Sequence, residues 1–220
     1  MYFIGGNTMD AKSVFDNLIA RYPILAQCRD DIWKAYEFLA ECFKNDGCLF
    51  TCGNGGSAAD ADHIVGEILK GFVLKRPLPD ADKETLKSYG DEGAMLAEKL
   101  QCGLRATNLM AHTGAYTASA NDLGGDTGPA QQLNALGRKG DILLGITTSG
   151  NASNVRLACL VAKLKGMKII GMTGIGGGRL AANADVCIKV PEKETYKVQE
   201  LHLPVYHALC MMVECTFFKE

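Results

Sequence analysis

Residues 141–154 read DILLGITTSGNASN, and their order decides the fold: a short apolar run gives way to a loop of hydroxyl-bearing and glycine residues, and a helix-like stretch begins near Ser153. An apolar run of this length, closed by turn residues and followed by a helix, is the unit from which parallel sheets are built. The same grammar repeats in both directions. Apolar runs recur at 47–53 (GCLFTCG), 105–112 (RATNLMAH), 167–174 (MKIIGMTG) and 185–190 (DVCIKV), and helix-like stretches begin near Ser57, Pro129, Gly178 and Thr195. Five such runs predict an α/β fold, a doubly wound five-stranded parallel sheet with helices on both faces. Ligands of such a sheet bind beyond the carboxyl ends of its strands.

Two helices precede the first strand. Val14, Leu18 and Ile19 recur at helical spacing in residues 9–21; Ile32, Ala35, Tyr36, Leu39 and Phe43 do so in residues 30–45, with Pro23 between the two. A chain of 220 residues suits one sizeable domain. We expect residues 1–220 to form it, with N-terminal helices over 1–46 and the α/β core over 47–220. Met9 is a second candidate start, and the sequence does not choose between it and Met1. Residues 72–90 break the pattern: Pro77, Pro79 and a charge-rich run from Asp80 to Lys87 read as a surface excursion.

Lysine and arginine total 23 against 25 acids, so the chain lacks the basic footprint of a nucleic-acid binder. A small phosphorylated ligand stays open, because backbone N–H groups at a helix start can hold it. The nine cysteines are scattered, odd in number and without a C-x-x-C pair, which reads as reduced, buried thiols. The start has no basic segment of a signal peptide, and no apolar run approaches the roughly 20 residues of a membrane span. The expectation is a cytoplasmic protein with no membrane partner.

Two loops carry the chemistry. The first, Cys52-Gly53-Asn54-Gly55-Gly56-Ser57, leads into a helix that Ser57 is placed to cap. The second, from Thr147 to Asn154, offers the hydroxyls of Thr147, Thr148, Ser149 and Ser153 at another helix start, a plausible phosphate cradle. Neither is a Walker or G-x-G-x-x-G loop, so a nucleotide is not indicated. A tight turn with an N-cap would explain either loop alone; two of them at strand ends favour a ligand crevice. His63 and Glu67 share one helix face four residues apart. The last helix carries Gln199, Glu200, His202 and His207. At about 100° per residue Gln199 and His207 lie roughly 80° apart and Glu200 lies nearer His207, so helical geometry does not choose His207's partner. A histidine and a glutamate on separate helices can transfer protons or ligate a metal.

The segments CGNGGSAADADHIVGEI (52–68), GITTSGNASNV (145–155), GMTGIGGGRLAANADVCIKV (171–190) and VQELHLPVYH (198–207) together resemble the phosphoheptose isomerases, whose fold is the flavodoxin-like SIS domain. The resemblance runs from about Asp30 onward and is weakest over 72–104. It implies isomerisation of sedoheptulose 7-phosphate to D-glycero-manno-heptose 7-phosphate. Glu67 would move a proton between C1 and C2 of an enediol, and His207 would act on the sugar oxygens. It assigns substrate binding to Asn54, Gly55, Ser57, Asp122, Thr147, Thr148, Ser149, Ser153 and Gln199. His63, Glu67, Gln199 and His207 match positions that bind zinc in some members, one ion per subunit. Members are homotetramers with sites between subunits, which would explain how two distant helices meet.

The assigned chemistry is sensible by itself: proton removal beside a carbonyl needs a carboxylate poised near neutrality, and the enediolate needs an electrophile such as zinc or a histidinium. Glutamine is a weak zinc ligand, so any metal would be loosely held. Two departures bear on substrate. Ala152 stands where a serine usually follows S-G-N, and Gly71 stands where the family often has an arginine, with Lys70, Lys75 and Arg76 nearby. Another sugar phosphate is therefore an alternative substrate. A non-catalytic SIS protein, binding a sugar phosphate or a replication-initiation partner, is the alternative of a different class.

Overall fold

All five strands form, and all run parallel. In the computed structural model, which describes residues 9–218, they are β1 (Leu49–Cys52), β2 (Ala106–Asn108), β3 (Ile142–Ile146), β4 (Lys168–Gly174) and β5 (Val186–Val190). Their order is β2-β1-β3-β4-β5, with Leu49 opposite both Ala106 and Ile142, and Ile170 opposite Val186. The order reverses between β1 and β3, so the crevice of the doubly wound sheet opens where these two strands end. The eight residues before Met9 lie outside the described residues.

The pleat sorts the core into two layers, because successive strand residues face opposite sides. Leu49, Ile142, Leu144, Ile146, Ile170, Met172 and Ile188 meet α1 (Ala11–Arg21), α2 (Arg29–Lys44), α3 (Gly56–Leu69) and α10 (Thr195–Phe217). A short 3-10 turn, Pro23–Cys28, joins α1 to α2. Phe50, Cys52, Leu143 and Ile169 face the other way, toward α7 (Gly128–Leu136), α8 (Ser153–Lys165) and the brief α9 (Gly178–Ala181). Seven of the nine cysteines are buried and all nine are free thiols; burial pushes Cys28 and Cys159 up to about 12. No helix among the described residues is long and apolar enough to cross a membrane.

Three helices were not anticipated. α4 (Asp80–Lys87) and α5 (Asp91–Lys99) follow the loop that leaves α3, and α6 (Thr113–Asp122) follows β2. The excursion at 72–90 thus contains a helix. α4 buries none of its residues, so it lacks an apolar stripe to read; it is marked instead by Asp80 and Asp82 in its first turn and Lys87 in its last, which suit the helix dipole. The excursion is also not wholly a surface feature, since Arg76 is completely buried. The apolar run at 105–112 yields only a three-residue strand, which turns away at Asn108.

Candidate active site

Three helices start around one cleft beyond the ends of β1 and β3. Gly56 and Ser57 open α3, Ala152 precedes α8, and Thr195 opens α10; all four line a cleft of about 540 Å³, with Asn54, Gly55, Thr147, Thr148, Ser149 and Gln199. None of the three helices has a side-chain cap hydrogen bond. Their positive dipole ends face the cleft, although the N–H groups of Ser57, Ala58 and Val155 are already bonded within the two loops, and among the described residues the lining contains no lysine or arginine. Ser57 does not cap α3 as expected. Gly55 holds the cap position at φ 54°, ψ −122°, a conformation glycine tolerates, and Ser57 lies buried inside the first turn. A β-carbon on Gly56 would collide with Nε2 of Gln199, so glycine there lets the α10 amide approach the start of α3.

A reciprocal amide pair braces the two loops. Asn54 Nδ2 donates to Asn154 Oδ1 at 2.9 Å, and Asn154 Nδ2 donates to Asn54 Oδ1 at 2.8 Å. Asn154 also accepts from the N–H of Val155 through Oδ1. Asn54, assigned to substrate, thus also fixes the spacing of the crevice. Asn154 had no sequence signal beyond its place at the end of the loop. Ser153 is the first residue of α8 and is not among the residues lining the cleft, and Asp122, exposed at the end of α6, is not among them either. Thr195 and Asn151 join the lining without having been singled out.

His63, Glu67 and His207 meet further along the same helices. His63 Nε2 lies 3.1 Å from Glu67 Oε1, and the His63 and His207 rings stand 5.0 Å apart, edge to face. Tyr206 donates to Asp60 Oδ1 at 3.2 Å, so its oxygen accepts from His63 Nδ1 at 3.1 Å. The chain Asp60–Tyr206–His63–Glu67 therefore orients the glutamate. Lys70 reaches the other oxygen of Glu67 at 3.4 Å. Burial lowers the pKa of His207, the nearby His63 lowers it further, and Glu67 works in the opposite direction. Its Nε2 is buried without a hydrogen-bond partner.

Glu200, not Gln199, shares a cleft with His207. A hollow of about 370 Å³ between α1 and α10 is lined by Arg21, Phe72, Glu200, Pro204 and His207, whereas Gln199 lines the cleft formed by the Asn54 and Thr147 loops. His202 lies on neither cleft. It is fully buried on α10, neither ring nitrogen hydrogen-bonds to a described residue, and burial pushes its pKa down to about 4, with the Thr173 backbone working in the opposite direction.

The four expected zinc ligands do not fit one ion within a single chain. Gln199 and His207 are eight residues apart on α10, roughly 12 Å at the helical rise, where two ligands of one ion stand a few ångströms apart. His63 spends both nitrogens on Tyr206 and Glu67. Among the described residues no three histidine, cysteine or acidic side chains are grouped to hold a metal.

Gly71 occupies the place of the familial arginine because its surroundings leave no room for a side chain: a β-carbon would meet Gln101 Oε1 and the Leu74 carbonyl. Arg76 does not stand in for it, being paired with Glu214 in the interior.

An uncapped three-helix cleft at the switch point, on the same helices as a histidine–glutamate cluster, is an arrangement suited to an anionic ligand and to proton transfer. The SIS-domain family model matches residues 17–101 and 102–174. The phosphoheptose isomerase of Aneurinibacillus thermoaerophilus is 38% identical over 179 residues, 81% of this chain and 78% of that protein. The solved phosphoheptose isomerase of Neisseria gonorrhoeae is 33% identical with a TM-score of 0.68, over 93% of this chain and 91% of that one. That of Francisella tularensis is 29% identical with a TM-score of 0.72, over 92% and 95%. The chain belongs to the phosphoheptose isomerase family of SIS-domain proteins and is a sugar-phosphate isomerase.

Proposed function

We propose that the chain interconverts sedoheptulose 7-phosphate and D-glycero-manno-heptose 7-phosphate through an enediol, with Glu67 and His207 as the acid/base pair. The observation that carries this is the convergence of Glu67, His63 and His207 from α3 and α10, the two helices whose first turns also line the phosphate cleft. Glu67 takes a proton from C1 while His207 donates one to the C2 oxygen. His207 then recovers a proton from the C1 oxygen while Glu67 returns its own to C2. The product is an isomer, and both residues regain their starting state. Burial lowers the pKa of His207 and favours its neutral form, which can give its N–H proton to the C2 oxygen as negative charge develops there, pass transiently through an imidazolate, and regain the proton from the C1 hydroxyl.

The site is proposed to be completed between copies of the chain in a cytoplasmic homotetramer. Gly56 and Glu67 are eleven residues apart on α3, roughly 16 Å along the helix. An extended seven-carbon sugar phosphate spans only roughly 10 Å from C1 to phosphorus, at about 1.5 Å per carbon–carbon bond. The Glu67–His207 meeting itself needs no second chain; the interface is required to bring a phosphate cleft close to it. The same arrangement would let a second copy's Gln199 join His63, Glu67 and His207 around zinc if His63 Nε2 turned from Glu67 to the ion; zinc held there would supply an electrophile for the sugar oxygens, which we retain as a proposal.

Incubating the protein with sedoheptulose 7-phosphate and following the sugar by NMR, with Glu67→Gln alongside, tests the assignment. Conversion by the native protein alone is expected. Retained turnover in Glu67→Gln would remove the glutamate from its role. A clear preference for a five- or six-carbon ketose phosphate would favour the second reading, which Gly71 and Ala152 motivate.

A further inference from the structure

Beneath the histidine–glutamate cluster lies an ion pair with no exposure at all. Arg76 Nε donates to Glu214 Oε1 at 2.8 Å, and both side chains are fully buried. A buried ion pair is weak evidence for a stabilising role, because well-packed apolar residues often serve stability as well. What distinguishes this one is the set of groups it holds. Arg76 Nη1 donates to the Ile68 carbonyl at 2.9 Å and Nη2 to the Glu67 carbonyl at 3.2 Å. These are among the last carbonyls of α3, which have no partner within the helix. Glu214 Oε1 accepts the N–H of Phe72 at 2.8 Å, and Oε2 accepts those of Val73 at 2.8 Å and Leu74 at 3.1 Å.

Each end of the pair therefore reaches a different half of the proton-transfer pair. Arg76 grips the peptide group of Glu67 itself. Glu214 stands two turns after His207 on α10, on nearly the same face, and pins the backbone of Phe72, whose ring lies 5.4 Å from that of His207. The guanidinium is stacked on Phe218 at 4.5 Å, which fixes its plane. Only a planar fork facing a two-oxygen acceptor joins the end of α3, the loop after it and α10 in this way.

We propose that Arg76 and Glu214 are positioning residues that set the distance and angle between Glu67 and His207. The inference rests on the reading of Glu67 and His207 as the acid/base pair. Because a misplacement of about 1 Å can cost about 100-fold in rate, Arg76→Lys, which keeps the charge and loses the fork, is expected to lower kcat about 10- to 100-fold. KM is expected to hold within about twofold, since neither Arg76 nor Glu214 lines the phosphate cleft.

The test combines steady-state kinetics on sedoheptulose 7-phosphate with NMR of the His207 ring protons in the full chain, for Arg76→Lys and Glu214→Gln. Neither substitution touches the His207 ring. A fall in kcat at constant KM together with displaced His207 resonances is the expected result; native kcat with unmoved resonances in both variants would overturn the proposal. Should both variants fail to fold, Phe72→Leu, which spares the ion pair, decides by its kinetics: lowered kcat at constant KM supports the linkage and unchanged kcat overturns it. Should the native protein turn over no sugar phosphate, the isomerase assignment fails separately. The His207 resonances then decide the positioning role, supporting it if they move in Arg76→Lys and overturning it if they do not.

Discussion

Acid will destabilise this protein through His202, and the size of the loss follows from its surroundings. The imidazole is fully buried with neither nitrogen partnered, so the folded state accepts a proton there only near pH 4, against 6.5 for an ordinary histidine. The unfolded chain binds that proton first. Stability from this group is therefore complete above pH 6.5 and falls as pH drops toward 4. The full difference is about 3 kcal/mol, of which about 2 kcal/mol is lost by pH 5. Replacing the ring by leucine removes the titration and the two unpartnered nitrogens together. The assay is urea unfolding of the native protein and His202→Leu at pH 7.5, 6 and 5. Between the extremes the variant gains about 2 kcal/mol on the native protein. His207, also lowered, is present in both chains and cancels in the comparison. Parallel stability curves across this range would refute the reasoning, since they would mean that His202 finds a proton partner in the fold.

Other consequences are as direct. Asn154→Ala breaks both bonds of the amide brace; we expect a loss of about 1–2 kcal/mol in unfolding free energy and a raised KM for the sugar phosphate, read by urea unfolding and kinetics. Ala152→Ser supplies the missing cap of α8 and is expected to raise stability by about 1 kcal/mol in thermal or urea unfolding. Metal analysis of protein purified without chelator is expected to find up to one zinc per chain, lost in Gln199→Ala if that side chain completes the site; absence of any divalent ion would remove zinc from the proposal.

Strand positions were legible because their apolar runs end in turn residues, and the helix starts at Ser153, Gly178 and Thr195 were visible for the same reason. α6 was not, because TGAYTASAND is small and polar and leaves only Ser119 buried. His63, Glu67 and His207 could be picked out as one cluster from residue type and helical spacing together with the family resemblance, and the structure gathers them. Choosing between Gln199 and Glu200 required the roll of α10 against its neighbours, which no single-helix projection contains. Arg76 was hidden for a physical reason: a charged residue just before two prolines reads as surface, and only a carboxylate 138 positions away makes its burial tolerable.

The brace between Asn54 and Asn154 joins residues 100 positions apart, and Tyr206 meets His63 across 143. Closing such long loops adds little to the free energy of folding, since each doubling of length costs only about 0.6 kcal/mol, but it slows the search. During synthesis, β1 and its glycine loop emerge early and wait for β3 to define the crevice and for α10 to bring Gln199 and His207. Until α10 has docked, the polypeptide holds a phosphate loop with no chemistry beside it. Activity thus waits for this late docking and for the assembly of copies proposed above, and a nascent or partly unfolded chain is expected to bind substrate poorly and turn over none.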